Sequence, residues 1–311
     1  MGMAHLEKAR GFKRDNNHAQ TLKHAELALT KLKLLKDRPL EALDDALTFQ
    51  STSLRCMGRY AEAMESAKER YTLWVMDDIR NPNTSWAAFD LIECCLQINE
   101  YVDAERFART AYQSINERTD NIIPLDERQQ FLARGAHLLG RATYELAKAG
   151  GIAPEAKQEA GIKAIALLRE ALEINTRFFG TEDTEVAIDM MTLADVLDHF
   201  NEVDDDEVLR LYEQAKAIFA RAQGSLSPNV AVCEKNLGIT YRDRAMRARA
   251  AHDLDRAVTN LQLALPHLRE AVRIYRAINR VDRIDDALYR VAEVEGLLRM
   301  AEVERAAESR G

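Results

Sequence analysis

Apolar residues recur at three- and four-residue spacing along most of the chain. Ala104, Ala108 and Ala111 share one helical face, as do Ala164, Leu168 and Ala171. Val208, Tyr212 and Ala215 repeat that spacing, and Ala264, Leu268 and Ala271 repeat it again. Such spacing buries one stripe of an α-helix and leaves the opposite stripe to water. A longer period runs above it. Ala171, Gly180, Val186-Ala187 and Leu193-Ala194 return as Ala215, Gly224, Val230-Ala231 and Leu237-Gly238, offset by 44 residues throughout. A supersecondary unit that recurs at this period cannot bury its own apolar face alone and must stack on its neighbours.

Each unit reads as two helices and a turn. First-helix positions fall at Gln50, Leu91, Leu139, Leu193, Leu237 and Val291, in steps of 41, 48, 54, 44 and 54 residues. The two longest steps hold their surplus between the helices, around Gly150-Gly151-Ile152-Ala153-Pro154 and Arg242 to Arg256. They predict lengthened helices that meet at a displaced turn, and both protrusions are candidate contact surfaces. Gly58-x-Tyr60 and Asn99-x-Tyr101 mark inter-helix turns. Pro39, Pro82 and Pro124 each stand just ahead of a first helix, and Ser227-Pro228 joins an N-cap to a Pro at the first helical position. Ala19 to Leu35 predicts an N-terminal helix, and Asp285 to Ser309 a final one whose Glu302-Val303-Glu304-Arg305 end is polar, as a cap requires. The expectation is one all-α domain over 1–311, a right-handed α-solenoid of antiparallel helix pairs. Residues 1–37 form an N-terminal half-repeat, 38–284 about five repeats, and 285–311 a capping helix.

Leu139-Gly140, Leu237-Gly238-x-x-Tyr241 and the Ala-centred second helices resemble tetratricopeptide repeats. Phe179-Gly180-x5-Val186-Ala187 and Gly224-x5-Val230-Ala231 are similar to the repeat junctions of kinesin light chains and nephrocystin-like arrays, as is Ala264-x-Pro266-x-Leu268-x-x-Ala271. The resemblance implies a helical array that binds partners. It runs best over 160–275. A heptad coiled coil like that of kinesin light chains is missing from the sequence, and of the first-helix Asn pairs that line the family's cargo groove only Asn236 is matched; Met191-Thr192 stands in the repeat before.

Composition narrows the class without naming a partner. Ala, Leu, Glu, Lys and Arg make up about half of the 311 residues, with only 13 Gly and 6 Pro, which excludes a turn-rich sandwich or barrel. A net charge of −8 argues against general nucleic-acid binding, which needs a basic surface. The longest charge-free run, Ala257 to Leu268, is well short of the roughly 18 residues of a membrane span. Cys56, Cys94, Cys95 and Cys233 read as buried thiols in a reducing, cytoplasmic setting.

No phosphate loop, dinucleotide fingerprint, zinc-protease helix or nucleophile elbow is present, so no catalytic residue, cofactor or metal is expected. His137, one helical step from Arg134 and Arg141, and His199, among Asp195 and Asp198, have the charges around them that a base could use but read as solvated side chains, and Asp204-Asp205-Asp206-Glu207 reads as a solvated turn. What remains is the concave wall formed by the exposed sides of the first helices. Projection places Arg134, His137 and Arg141 there, with Lys235, Asn236, Arg242 and Arg290 further on, and Trp86, Phe89, Asp90 and Glu93 nearer the N-terminus. Cations and an amide in a groove suit an acidic peptide or a terminal carboxylate. The function expected is a non-catalytic scaffold or adaptor that holds a protein or peptide partner. The alternative is a structural subunit or homo-oligomer that uses its convex face and end helices.

Overall fold

The computed structural model describes residues 1–37, 39–78, 81–117, 124–151, 153–200 and 205–308. Among these residues there are thirteen helices and no strand. In order they are α1 (Gly2–Arg14), α2 (His18–Leu32), α3 (Leu40–Cys56), α4 (Tyr60–Asp77), α5 (Pro82–Gln97), α6 (Tyr101–Asn116) and α7 (Leu125–Ala149), followed by α8 (Pro154–Phe179), α9 (Thr184–Phe200), α10 (Asp205–Gln223), α11 (Pro228–Ala250), α12 (Leu254–Ala277) and α13 (Val281–Glu308). They form two compact units, Met1–Leu167 and Leu168–Gly311. Within each unit successive helices pack on one another, as α1 to α7 do in the first and α9 to α13 in the second.

Local chemistry starts and stops the helices where the spacing predicts. Ser227 Oγ accepts a 3.2 Å hydrogen bond from the Val230 N–H, with Pro228 in the first helical position. Asn81 and Asp253 cap α5 and α12 in the same way. A recurring turn places a left-handed residue two positions after the last helical one: Gly58 after α3, Asn99 after α5, His252 after α11. Gly58, at φ +74°, meets nothing within 4 Å where a Cβ would sit, so the backbone conformation alone requires glycine there.

The small residues sit at helix crossings. Ala104, Ala108, Ala164, Ala171, Ala215, Ala264 and Ala271 are wholly buried. A Cβ on Gly238 would lie 2.5 Å from Leu268 Cγ, which is why Leu237 is followed by glycine at this α11–α12 contact. The second unit's core joins Ala215, Phe219, Val230, Ala231, Ile274 and Tyr275. The first unit's N-terminal core joins Leu6 and Ala9 to Leu29, Leu32, Leu43 and Leu47.

The two long repeat steps become long helices: α7 and α8 have 25 and 26 residues, α11 and α12 have 23 and 24. α7 ends at Gly150 (φ +91°); Ile152 lies outside the described residues. Three expectations are corrected. Residues 1–37 hold a helix pair, because α1 precedes the single helix expected there and buries Leu6 and Ala9. The final helix begins at Val281, four residues before the expected start, and Glu304 near its end pairs with Arg249; residues 309–311 lie outside the described residues. Cys56 is exposed, whereas Cys94, Cys95 and Cys233 are buried.

Candidate functional site

In the first unit, the face expected to line the groove is built from α3, α5 and α7, and its charges face each other. Arg134 on α7 donates to Glu93 on α5, and Arg55 on α3 donates to the same carboxylate. Arg55 also stands 3.8 Å from Asp90. Arg70 reaches across from α4, its Nε 2.7 Å from Asp44 Oδ1 and its Nη1 2.6 Å from Asp90 Oδ2. The Trp74 indole N–H also donates to Asp44, at 2.5 Å. Arg70 is buried, which places an ionic node at the junction of three helices.

The aromatic station is divided between surface and core. Trp86 is 41% exposed and leans on Phe131, with ring centroids 5.0 Å apart. Phe89 packs edge-on beneath it and is only 2% exposed, so it does not present to solvent. His137 is also buried, at 4% exposure, because it lies on the side of α7 that faces the core. Arg141 is half-buried and makes no ion pair with any described residue.

In the second unit, α9, α11 and α13 carry the corresponding face. The Asn236 amide donates to Asp195 Oδ1 at 2.7 Å and to the Tyr212 hydroxyl at 3.4 Å. Tyr212 in turn donates to Asp195 at its hydroxyl distance of 2.5 Å. Burial, and then the Asp195 charge, push the Tyr212 phenol well above its ordinary pKa. Thr240 Oγ1 is 3.1 Å from Asp198 Oδ1. Arg242 donates to Glu293 at 3.0 Å and also pairs with Asp243. Lys235 and Arg290 are held more loosely: Lys235 Nζ is 3.9 Å from Asp286, and Arg290 is 3.5 Å from Asp286 and 3.6 Å from Glu293. Arg290 Nε is buried with no hydrogen-bond partner. Burial lowers the Lys235 pKa, with Arg283 and Arg290 adding to the effect against the pull of Asp286.

The sequence reading left out the cations Arg55 and Arg70 and the carboxylates Asp44, Asp195 and Glu293. A signal was available. Arg55–Glu93, Glu93–Arg134, Asp195–Asn236 and Asp198–Thr240 are 38, 41, 41 and 42 residues apart, about one repeat, so stacked first helices bring them face to face. The acidic run is also engaged: Asp206 pairs with Arg244 and Glu207 with Arg169, while Asp204 lies outside the described residues. Burial pushes the Cys94 and Cys95 thiols up to about 11 and Cys233 to about 12, which suppresses the reactive thiolate. Among the described residues, no group of three His, Cys, Asp or Glu could hold a metal, and no helix is long and apolar enough to cross a membrane.

Among the described residues, thirteen helices with no strand define an all-helical fold of the tetratricopeptide type. No protein-family model and no curated protein matches the chain. Among solved structures, it is similar to the apo form of RapI (TM-score 0.61, 13% identity, 96% of this chain and 99% of that one covered). It is also similar to a Rap protein complexed with competence and sporulation factor (TM-score 0.52, 11% identity, 96% and 75% covered). A third similar structure is a variant of a candidate kinesin light chain from Podospora anserina with nearly identical tetratricopeptide-like repeats (TM-score 0.50, 15% identity, 71% and 95% covered). At these identities the likeness concerns the fold.

Proposed function

We propose that this chain is a non-catalytic interaction scaffold that binds a peptide segment of a partner protein on the exposed face of its first helices. The observation that carries the reading is the loose compensation of Lys235 and Arg290. Where Arg242 is locked to Glu293 at 3.0 Å, these two cations share carboxylates at 3.5–3.9 Å and keep donors to spare. A carboxylate entering between α11 and α13 gains charge-assisted hydrogen bonds without first breaking a tight ion pair. The partner segment is therefore acidic at this station. Trp86 offers a separate apolar contact in the first unit. The similarity to a Rap protein complexed with competence and sporulation factor supports ligand capture on a fold of this kind. The cytoplasmic setting rests on the cysteine usage.

A fluorescence-anisotropy screen of acidic, neutral and basic peptide pools against the whole chain tests the reading. Acidic pools should bind, and Lys235→Gln with Arg290→Gln should weaken them by about tenfold, the loss of one or two charge-assisted contacts. Absence of binding by every acidic pool, or binding that the double substitution leaves unchanged, would refute it.

A further inference from the structure

Helix α13 has two apolar faces, and the described residues of its own chain cover only one. Ala287, Val294 and Ala301 are wholly buried, and Val294 and Ala301 pack with Leu261, Ala264, Leu265 and Leu268 of α12. On the other side, Val281 is 65% exposed, Leu288 39%, Tyr289 64%, Met300 52% and Val303 71%. At the helical turn of about 100° per residue, these five gather with Asp285, Ala292, Gly296 and Arg299 in an arc of about 120°. An amphipathic surface helix needs one such stripe; α13 has a second.

From this second stripe we infer that α13 is an isologous interface, paired antiparallel with α13 of a second copy of this chain about an axis through Ala292. The order of residues on the stripe supports this occupant. Val281 and Val303 stand eleven residues to either side of Ala292, Asp285 and Arg299 seven, and Leu288 and Gly296 four. A twofold axis at Ala292 therefore sets valine against valine, aspartate against arginine and leucine against glycine, each contact made twice. The charges are complementary, and neither Asp285 nor Arg299 forms an ion pair with a described residue of its own chain. Gly296 is the independent observation. A Cβ there would meet nothing within 4 Å, so packing within the chain does not require glycine, which weakens a helix interior relative to alanine. In the pair, its missing side chain is the hole that receives Leu288. The contact line from Val281 to Val303 is about 33 Å long, and Tyr289 and Met300 flank it. This inference is independent of the peptide-binding reading, which concerns the α11–α13 face that carries Lys235 and Arg290.

Sedimentation velocity on the full chain, with concentration varied up to about 100 µM, should show the 35.2 kDa monomer giving way to a species of twice that mass. Asp285→Arg and Arg299→Asp should each weaken association by about tenfold or more, because each sets like charges against each other twice. The combined exchange should restore it. Gly296→Leu should also weaken association while leaving the helical circular dichroism signal intact. In a Cys56→Ser background, Ala292→Cys should form a disulfide-linked dimer on mild oxidation. A wild-type chain that stays monomeric throughout overturns the inference. So does a dimer that neither single charge exchange weakens, or one that Ala292→Cys fails to cross-link.

Discussion

The first-helix faces of the two units solve the same stacking problem with different chemistry. In the first unit, α3, α5 and α7 are joined by full charges: Arg55 and Arg134 converge on Glu93, and buried Arg70 ties Asp44 to Asp90. In the second unit, α9 and α11 are joined by an amide and a hydroxyl, Asn236 and Thr240, donating to Asp195 and Asp198. The cations appear only further along, between α11 and α13, where two of the three are loosely held. A face whose charges are already matched has little electrostatic attraction to offer a ligand. A face with shared, distant counterions retains it. Under the proposed reading the acidic segment is expected at α11 and α13, while the first unit offers the exposed edge of Trp86 and the guanidinium of Arg141, which makes no ion pair with a described residue.

That comparison can be broken by substitution. The largest effect should come from Arg70→Met, which strands Asp44 and Asp90 at a buried junction and should cost about 3 kcal/mol in chemical denaturation, the usual range for removing one partner of a buried ion pair. A loss below about 1 kcal/mol would mean that the first unit does not depend on its ionic node. Glu293→Gln in the second unit should cost no more than about 1 kcal/mol, since Glu293 and its partners are partly solvated. Should it match Arg70→Met, the contrast between the units would disappear.

The smallest effect should be a pH dependence at the N-terminal pair. His24 Nδ1 is 3.2 Å from His5 Nδ1, and the ring stacks on Phe12. Burial lowers the His24 pKa, with His5, Lys8 and Lys23 adding to the shift. The unfolded chain then binds this proton more readily than the folded one. The stabilisation is fully present above the unfolded value of about 6.5 and is lost as the pH falls below it. Hydrogen exchange in α1 and α2 should accelerate modestly on acidification, and His24→Gln should remove that response. An identical acid response in the variant would assign it to other groups.

Much of the fold is legible from punctuation and spacing, because the residues that end and begin helices act locally: Pro82, Ser227 and Gly58 each do so through their own backbone or a neighbour's. The hidden helix, α1, buries only Gly2, Leu6 and Ala9, too few apolar positions to mark a face. Projection puts Arg134, Arg242 and Arg290 on one face because it needs only the helical turn; that this face binds a partner belongs to the proposal. It misplaces Phe89 and His137 because which side of the face is core depends on the neighbouring helix, Phe131 beneath Trp86 being one example. The partners were missed because they lie beyond any local window: Arg55 and Asp195 are about one repeat from Glu93 and Asn236, and Asp44 and Glu293 are 26 and 51 residues from Arg70 and Arg242.

The one-repeat spacing of those contacts also governs how such a chain can evolve. Repeat arrays are commonly lengthened or shortened by whole units, since each unit touches only its neighbours. Here the neighbours are not interchangeable. Excising α5 and α6 would remove Glu93 and Asp90, set Arg55 towards Arg134 without the carboxylate they share, and leave Arg70 with Asp44 alone. Gain or loss of a unit at this point must be accompanied by charge reversal in its neighbours. The order of the repeats is thus written into the chain as a sequence of polarities, and a shuffled copy would carry the right helices with the wrong grammar.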